Sequence, residues 1–273
     1  MRSPVSDVAR VSPLQGSPAH GAPVVFDRVS QVFGKGGDER QAIAEVTLSI
    51  APGEFVCIVG PSGCGKSTLL NLVAGFQEPS TGLVAVADSA VIGPGADRGM
   101  VFQQHRLFPW MSVRENVEFG PRMAGERKAQ RRADAERILD MVGLADVRDR
   151  APYELSGGMQ QRAAIARALA AKPRVWLMDE PFAALDAMTR ERLQEEIVRI
   201  WRATGTTILF VTHSVDEAAF VGSRVVGMSA HPGRIRLDEP VPFTDVEKTH
   251  LRSTLAFVEF RDHLAGIVRE AMG

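Results

Sequence analysis

Cysteine is scarce: Cys57 and Cys64 are the only two in 273 residues. Two thiols cannot build a disulfide framework or the usual four-ligand zinc site, which points to a reducing cytosol and free thiols. Apolar runs are short, and none approaches the ~18–20 residues that a membrane-spanning helix needs. An excess of either charge is missing too. Lys and Arg number 32 against 33 Asp and Glu, a net charge of −1, so no overall basic field exists to hold nucleic acid or an anionic membrane, and such a partner must be met by a patch. No internal repeat is present, so anything that needs two copies of a motif must take the second from another chain. Residues 1–23 hold four prolines and no continuous apolar core, which excludes a secretory signal and predicts a disordered leader. No Pro/Gly/Ser-rich linker follows, so one domain with an inserted subdomain is expected.

What is present is the composition of a globular chain, 45% hydrophobic and 24% charged, long enough to bury a core. Three apolar runs stand out: Phe55 to Val59, Val175 to Met178 and Ile208 to Val211. They do not alternate with polar residues, which suits strands buried on both faces of a mostly parallel sheet. Helical stretches lie between them. Thr189 to Ala203 sets Leu193, Ile197, Ile200 and Trp201 on one stripe, and Met159 to Ala171 is rich in helix formers with Pro173 just beyond its end. The alternation predicts a three-layer α/β fold.

Each apolar run is followed at once by chemically capable residues: Gly60 to Thr68, then Asp179-Glu180, then Thr212-His213. Ligands collect beyond the carboxyl ends of parallel strands, so these three segments should converge on one crevice. The first, Gly60-Pro61-Ser62-Gly63-Cys64-Gly65-Lys66-Ser67, fits G-x-x-x-x-G-K-[ST] between a strand and a helix. Its glycines let successive N–H groups point inward at a phosphate, and the following helix offers its positive end to the same anion. Lys66 should reach the β- and γ-phosphates, and Ser67 should give its hydroxyl to Mg²⁺. Cys64 is expected to be a small side chain whose backbone N–H matters, since no resolving cysteine is placed nearby. A carboxylate that ends a buried strand, as Asp179 does, can hold a metal, while Glu180 turns beyond the strand end toward the same crevice and polarises water.

Further along, the sequence resembles a known family. Leu155-Ser156-Gly157-Gly158-Met159-Gln160-Gln161-Arg162 is similar to the signature of the ATP-binding cassette (ABC) family, and Leu177-Met178-Asp179-Glu180-Pro181 to its Walker B segment. A glutamine loop at Val101-Phe102-Gln103, a D-loop at Ala183-Ala184-Leu185-Asp186 and a histidine switch at Val211-Thr212-His213 match in the same order, so the resemblance covers roughly residues 24 to 235. It implies a P-loop NTPase (RecA-like) α/β core with a mostly parallel sheet, an antiparallel β subdomain and an inserted α-helical subdomain at about 105–160. The cassette would span 24–240, with a C-terminal helical extension over 241–273.

The resemblance also implies roles. ATP would lie on Phe33, which stacks on adenine unless it is a core residue, and in the loop of Gly60, Pro61, Ser62, Gly63, Cys64, Gly65, Lys66, Ser67 and Thr68. Ser67, Gln103 and Asp179 would hold Mg²⁺. Glu180 would orient or deprotonate the attacking water, with Gln103, His213 and Lys66 completing the catalytic set. Ser156, Gly157, Gly158 and Gln160 would grip the ATP of a second copy in trans, with Asp186 in the D-loop beside them. The working unit implied is a homodimer closing head to tail on two ATP molecules. Ser214 departs from the family, which often has an acid after the histidine.

Without a membrane span, such an ATPase requires separate permease subunits, which place it peripherally on the cytoplasmic face of the inner membrane. Leu107-Phe108-Pro109-Trp110, Asp179-Glu180-Pro181-Phe182 and His231-Pro232-Gly233-Arg234-Ile235 look like the nitrate, sulfonate and taurine importer group. A solute-binding protein is then an indirect partner, and no nucleic acid is expected. Phe108 and Trp110 lie either in the groove that receives the permease or in the core of the helical subdomain. A soluble or exporter-type ABC ATPase is the alternative, since an exporter would share the catalytic motifs.

Overall fold

The structure, a computed structural model, describes residues 20–34, 36, 38–230, 232–244, 248 and 250–270. In chain order the elements are β1 (Val24–Phe33), β2 (Arg40–Ile50), β3 (Phe55–Val59), α1 (Lys66–Ala74), β4 (Thr81–Val86), β5 (Ser89–Ala90), β6 (Arg98–Val101), α2 (Val113–Met123), α3 (Lys128–Met141) and α4 (Gly157–Ala170). There follow β7 (Val175–Asp179), α5 (Ala187–Thr204), β8 (Thr207–Thr212), α6 (Val215–Val221), β9 (Arg224–Ser229), β10 (Arg234–Pro240) and α7 (Leu255–Glu270). Two sheets form. The larger has the order β10-β9-β3-β8-β7-β6 and the smaller β2-β1-β4-β5. Within the larger sheet β3 pairs in parallel with β8 and β9, and β7 in parallel with β6 and β8, while β10 is an antiparallel edge.

Burial on both faces explains why the three apolar runs do not alternate. Phe55, Cys57, Trp176, Met178, Ile208 and Phe210 point into one core with the helical segments α2 to α7. Val56, Ile58, Leu177, Leu209 and Val211 point into a second core shared with α1 and the antiparallel sheet. Every side chain of β3 is buried. A sheet with two dry faces has no use for polar positions. All three strands therefore end, at their carboxyl ends, on one line in front of α1.

The helices begin where side chains satisfy their first amides. Ser112 and Glu115 form a reciprocal capping box at α2, Ser156 caps α4, Asp186 caps α5 and Ser214 caps α6. The charged stretch in α3 is a solvated face tied down by ion pairs, Arg131 to Glu118 at 3.2 Å and Lys172 to Asp134 at 2.9 Å. Among the described residues no helix is long and apolar enough to cross a membrane.

The leader expected over 1–23 falls largely outside the described residues. Of it, Gly21 donates to the carbonyl of Gly205 at 3.0 Å and Ala22 is buried. His231 also lies outside the described residues, but Gly233 does not: a Cβ there would stand 2.0 Å from the carbonyl oxygen of Cys64. This glycine lets the turn between β9 and β10 brace the back of the phosphate loop.

Candidate nucleotide site

The phosphate loop is held by its own fold. Gly65, with φ of 95°, closes the loop and caps α1, and a Cβ there would lie 2.8 Å from Ile43. A Cβ on Gly60 would lie 2.5 Å from the carbonyl oxygen of Met228. Lys66, though charged, is buried, and its ammonium donates to the carbonyls of Gly60 at 2.8 Å and Pro61 at 2.9 Å. Its third direction faces Cys64 Sγ at 3.7 Å. The cation is thus held at the mouth of the loop by two backbone carbonyls. Ser62 and Gly63 line the open side of the loop. Cys64 is fully buried, and burial pushes its thiol above the ordinary range. The thiol is thus enclosed within the loop and kept in its neutral form by burial.

The other segments meet this loop. Ser67 Oγ donates to Asp179 Oδ1 at 3.1 Å, joining the helix start to the end of β7. Burial raises the Asp179 carboxyl above its ordinary range against the opposing effect of that hydrogen bond; the neighbouring Glu180 raises it further. A hydroxyl and a desolvated carboxylate are hard oxygen donors of the kind Mg²⁺ takes together with substrate phosphates. Among the described residues no group of three His, Cys, Asp or Glu side chains offers a metal site complete without such phosphates.

Glu180 has a backbone φ of 45°, in the left-handed region, while its amide donates to the Val211 carbonyl at 3.0 Å. That conformation costs about 1–2 kcal/mol for a residue with a side chain. It also ends the pleat, so Asp179 and Glu180 both face the crevice. Glu180 accepts from Gln103 Nε2 at 3.3 Å and lies 3.5 Å from His213 Nδ1. Gln103, Glu180 and His213 thus form one chain of side chains from the ends of three strands.

Several placements were not legible in advance. Nothing in the sequence marked β6 as a strand, and yet its pairing with β7 is what sets Gln103 beside Glu180. The glutamine loop is tied to α4 by His105, 2.5 Å from Gln161, and by Arg167, which donates to the Arg106 carbonyl at 2.7 Å. Thr68 is half-buried in the first turn of α1, and Phe33 at the end of β1 is 40% exposed, which removes the core reading of that ring. Phe108 and Trp110 divide between the two expectations: Phe108 packs on Phe119 at 4.7 Å, while Trp110 is 75% exposed. A cavity of about 500 Å³ is lined by Phe76, Phe102, Gln103, Arg106 and Asp179.

The signature turn stands apart from these groups. The Ser156 hydroxyl caps α4 through the Met159 amide at 3.3 Å, and Gln160 uses its amide to pin the carbonyls of Pro152 and Leu155. Asp186 accepts from the Thr189 amide at 3.0 Å, which holds its carboxyl below the ordinary range.

An ABC transporter family model matches residues 43–183, more than half the chain. The chain belongs to the ABC transporter family. It is 49% identical over 236 residues to a taurine import ATP-binding protein of Jannaschia sp., covering 85% of this chain and 88% of that protein. With the corresponding protein of Roseobacter denitrificans the identity is 52% over 210 residues, 77% and 78% of the two chains. Among solved structures it resembles the dimeric post-hydrolysis state of the cassette MJ0796 bound to ADP and Pi, with a TM-score of 0.72, 34% identity, and coverage of 80% of this chain and 98% of that one. The fold is accordingly that of a P-loop NTPase, and this member of the ABC family is an ATPase.

Proposed function

We propose that this ABC ATPase powers uptake of a small solute of the nitrate, sulfonate and taurine class, working as a homodimer beneath separate permease subunits on the cytoplasmic face of the membrane. The observation that carries the two-chain reading is the signature turn. Among the described residues, a Cβ on Gly157 would meet only His105 at 3.9 Å, and one on Gly158 nothing nearer than 3.6 Å. Neither glycine has a left-handed backbone, and glycine in a helix is worth roughly 0.5–1 kcal/mol less than alanine. Their own chain gives no reason for them. Close approach of another molecule to the amides of this helix start does.

The placement of these side chains supports the following roles. Phe33 offers an exposed ring for the base, and the amides of Ser62, Gly63 and Gly65 face the phosphates with Lys66. Ser67 and Asp179, with Gln103 nearby, would hold Mg²⁺, which when bound neutralises charge on the β- and γ-phosphates. Glu180 accepts a proton from, or orients, the water that attacks the γ-phosphate. Gln103 and His213 hold that carboxylate from two sides. Ser156, Gly157 and Gly158 of the second copy donate to the same triphosphate from across the seam. The import reading is supported by the similarity to taurine import ATP-binding proteins, and the exposed ring of Trp110 suits a permease helix.

The experiment is co-reconstitution of the chain with its permease in vesicles. ATP hydrolysis should rise with a loaded solute-binding protein and radiolabelled taurine, a sulfonate or nitrate should accumulate. Hydrolysis indifferent to the binding protein would favour the exporter or soluble reading.

A further inference from the structure

His213 is exposed and lies 3.5 Å from Glu180, so its position depends on what fixes the turn that carries it. The preceding residue does part of this. Thr212 is buried; its Oγ1 donates to Glu217 Oε2 at 2.6 Å and itself accepts from the Ser214 amide at 3.0 Å. Glu217 in turn donates its own amide to Ser214 Oγ at 3.2 Å. The two residues flanking His213 are thus both held through Glu217.

Glu217 is held from behind. Gln194 of α5 is fully buried and donates Nε2 to Glu217 Oε1 at 3.3 Å. A buried amide has two ends, and which end faces Glu217 depends on what the other end finds. Its Oε1 accepts from Arg252 Nη2 at 2.6 Å. Arg252 also donates Nε to Asp216 at 3.0 Å, lies 3.7 Å from Glu191, and stacks its guanidinium 3.9 Å above the ring of Phe220. It comes from the short 3₁₀ turn Leu251–Ser253, which leads into α7 and lies beyond the last strand. Glu217 and Arg252 together set this amide, the carboxylate taking its N–H₂ and the cation its carbonyl, so loss of Arg252 frees one end of Gln194 and slackens its hold on Glu217.

We propose that Arg252 is a positioning residue for the hydrolysis reaction, acting through Gln194, Glu217 and Thr212 to fix His213 against Glu180, so that the segment after β10 is part of the catalytic apparatus. The inference rests on the assignment of His213 above. A residue that only stabilises the fold would lower the unfolding midpoint and leave the geometry of the surviving folded molecules unchanged. A positioning residue lowers kcat in molecules that still bind ATP, because small displacements of aligned groups are expensive in rate.

The test uses the full-length chain with Arg252→Gln, Arg252→Lys, Gln194→Glu and His213→Ala. Gln194→Glu keeps the acceptor for Arg252 but places a second carboxylate against Glu217, so it breaks the relay while leaving Arg252 paired. Arg252→Gln and Gln194→Glu should each lower kcat about tenfold with KM for ATP within about twofold. The imidazole resonance of His213, identified by its loss in His213→Ala, should move in both. Arg252→Lys, which keeps the charge without the fork, should fall between wild type and Arg252→Gln. An unmoved His213 resonance in the folded variants, or kcat and nucleotide affinity falling in parallel, overturns the inference. Should His213→Ala itself retain full turnover, the assignment of His213 fails instead.

Discussion

The two glycine-bearing turns of this molecule, the phosphate loop and the signature turn, look alike in sequence and differ in what surrounds them. At the phosphate loop the chain itself excludes a side chain: a Cβ on Gly60, Gly65 or Gly233 would lie within 2.8 Å of another heavy atom. At Gly157 and Gly158 it would meet only ordinary contact distances. The first turn is required by folding. The second is not required by packing within the chain, and on the proposed two-chain reading it serves what docks against it.

The largest expected effect separates the two turns directly. Glu180→Gln should reduce turnover by about 100-fold or more while ATP still binds, because only the group acting on water is lost. It should accumulate the closed homodimer on size-exclusion chromatography. Adding Gly158→Ala should release that dimer; a dimer that persists would show that the signature turn is not at the seam. Next come the glycines alone. Gly60→Ala should destabilise the fold by roughly 1–3 kcal/mol through overpacking, read by thermal denaturation, together with loss of nucleotide binding. Gly157→Ala should leave the monomer as stable or up to about 1 kcal/mol more so, while ATP-driven pairing fails. Equal melting losses at the two positions would break the comparison.

Smaller effects concern charge. Burial raises the Asp179 carboxyl, so the fold holds that proton more tightly than the unfolded chain, where the group titrates near 3.8. The stability this gives is present below that value and lost as pH rises through the raised one. Asp179→Asn should therefore raise the melting temperature at pH 7 while abolishing Mg²⁺-dependent hydrolysis, and the gain should vanish in acid. Lys248 runs the other way. Burial, helped by the positive charge of Arg202, lowers its ammonium from 10.5 to about 8. Its protonated form weighs against the fold below about pH 8, and stability should climb between about 8 and 10.5 as the folded chain alone gives up the proton. Lys248→Met should remove that climb and add a few degrees at pH 7, measured by melting across pH.

These charges show where reading the sequence runs out. The runs at Phe55, Val175 and Ile208 declared themselves because a sheet buried on both faces demands unbroken apolarity, and the residues after them lie in one crevice because parallel strands point the same way. Helix starts were less even: Ser156-Gly157-Gly158, expected to open a helix, does so, while the helix expected from Thr189 begins at Ala187, since Asp186 satisfies the first amides by capping, which periodicity does not register. The strand at Arg98 was invisible, because only Val101 in it is buried and its neighbours are held by pairing with β7. Ser214, odd for the family, is explained by its cap on α6. Contacts such as Arg252 with Gln194 join residues far apart in the chain, and no local pattern announces them.

The left-handed backbone at Glu180 has an evolutionary edge to it. Glycine would relax that position, so a population selected in the laboratory for heat tolerance alone should drift toward Glu180→Gly and become sturdier and inert together. A carboxylate at so uncomfortable a dihedral trades stability for whatever that side chain does.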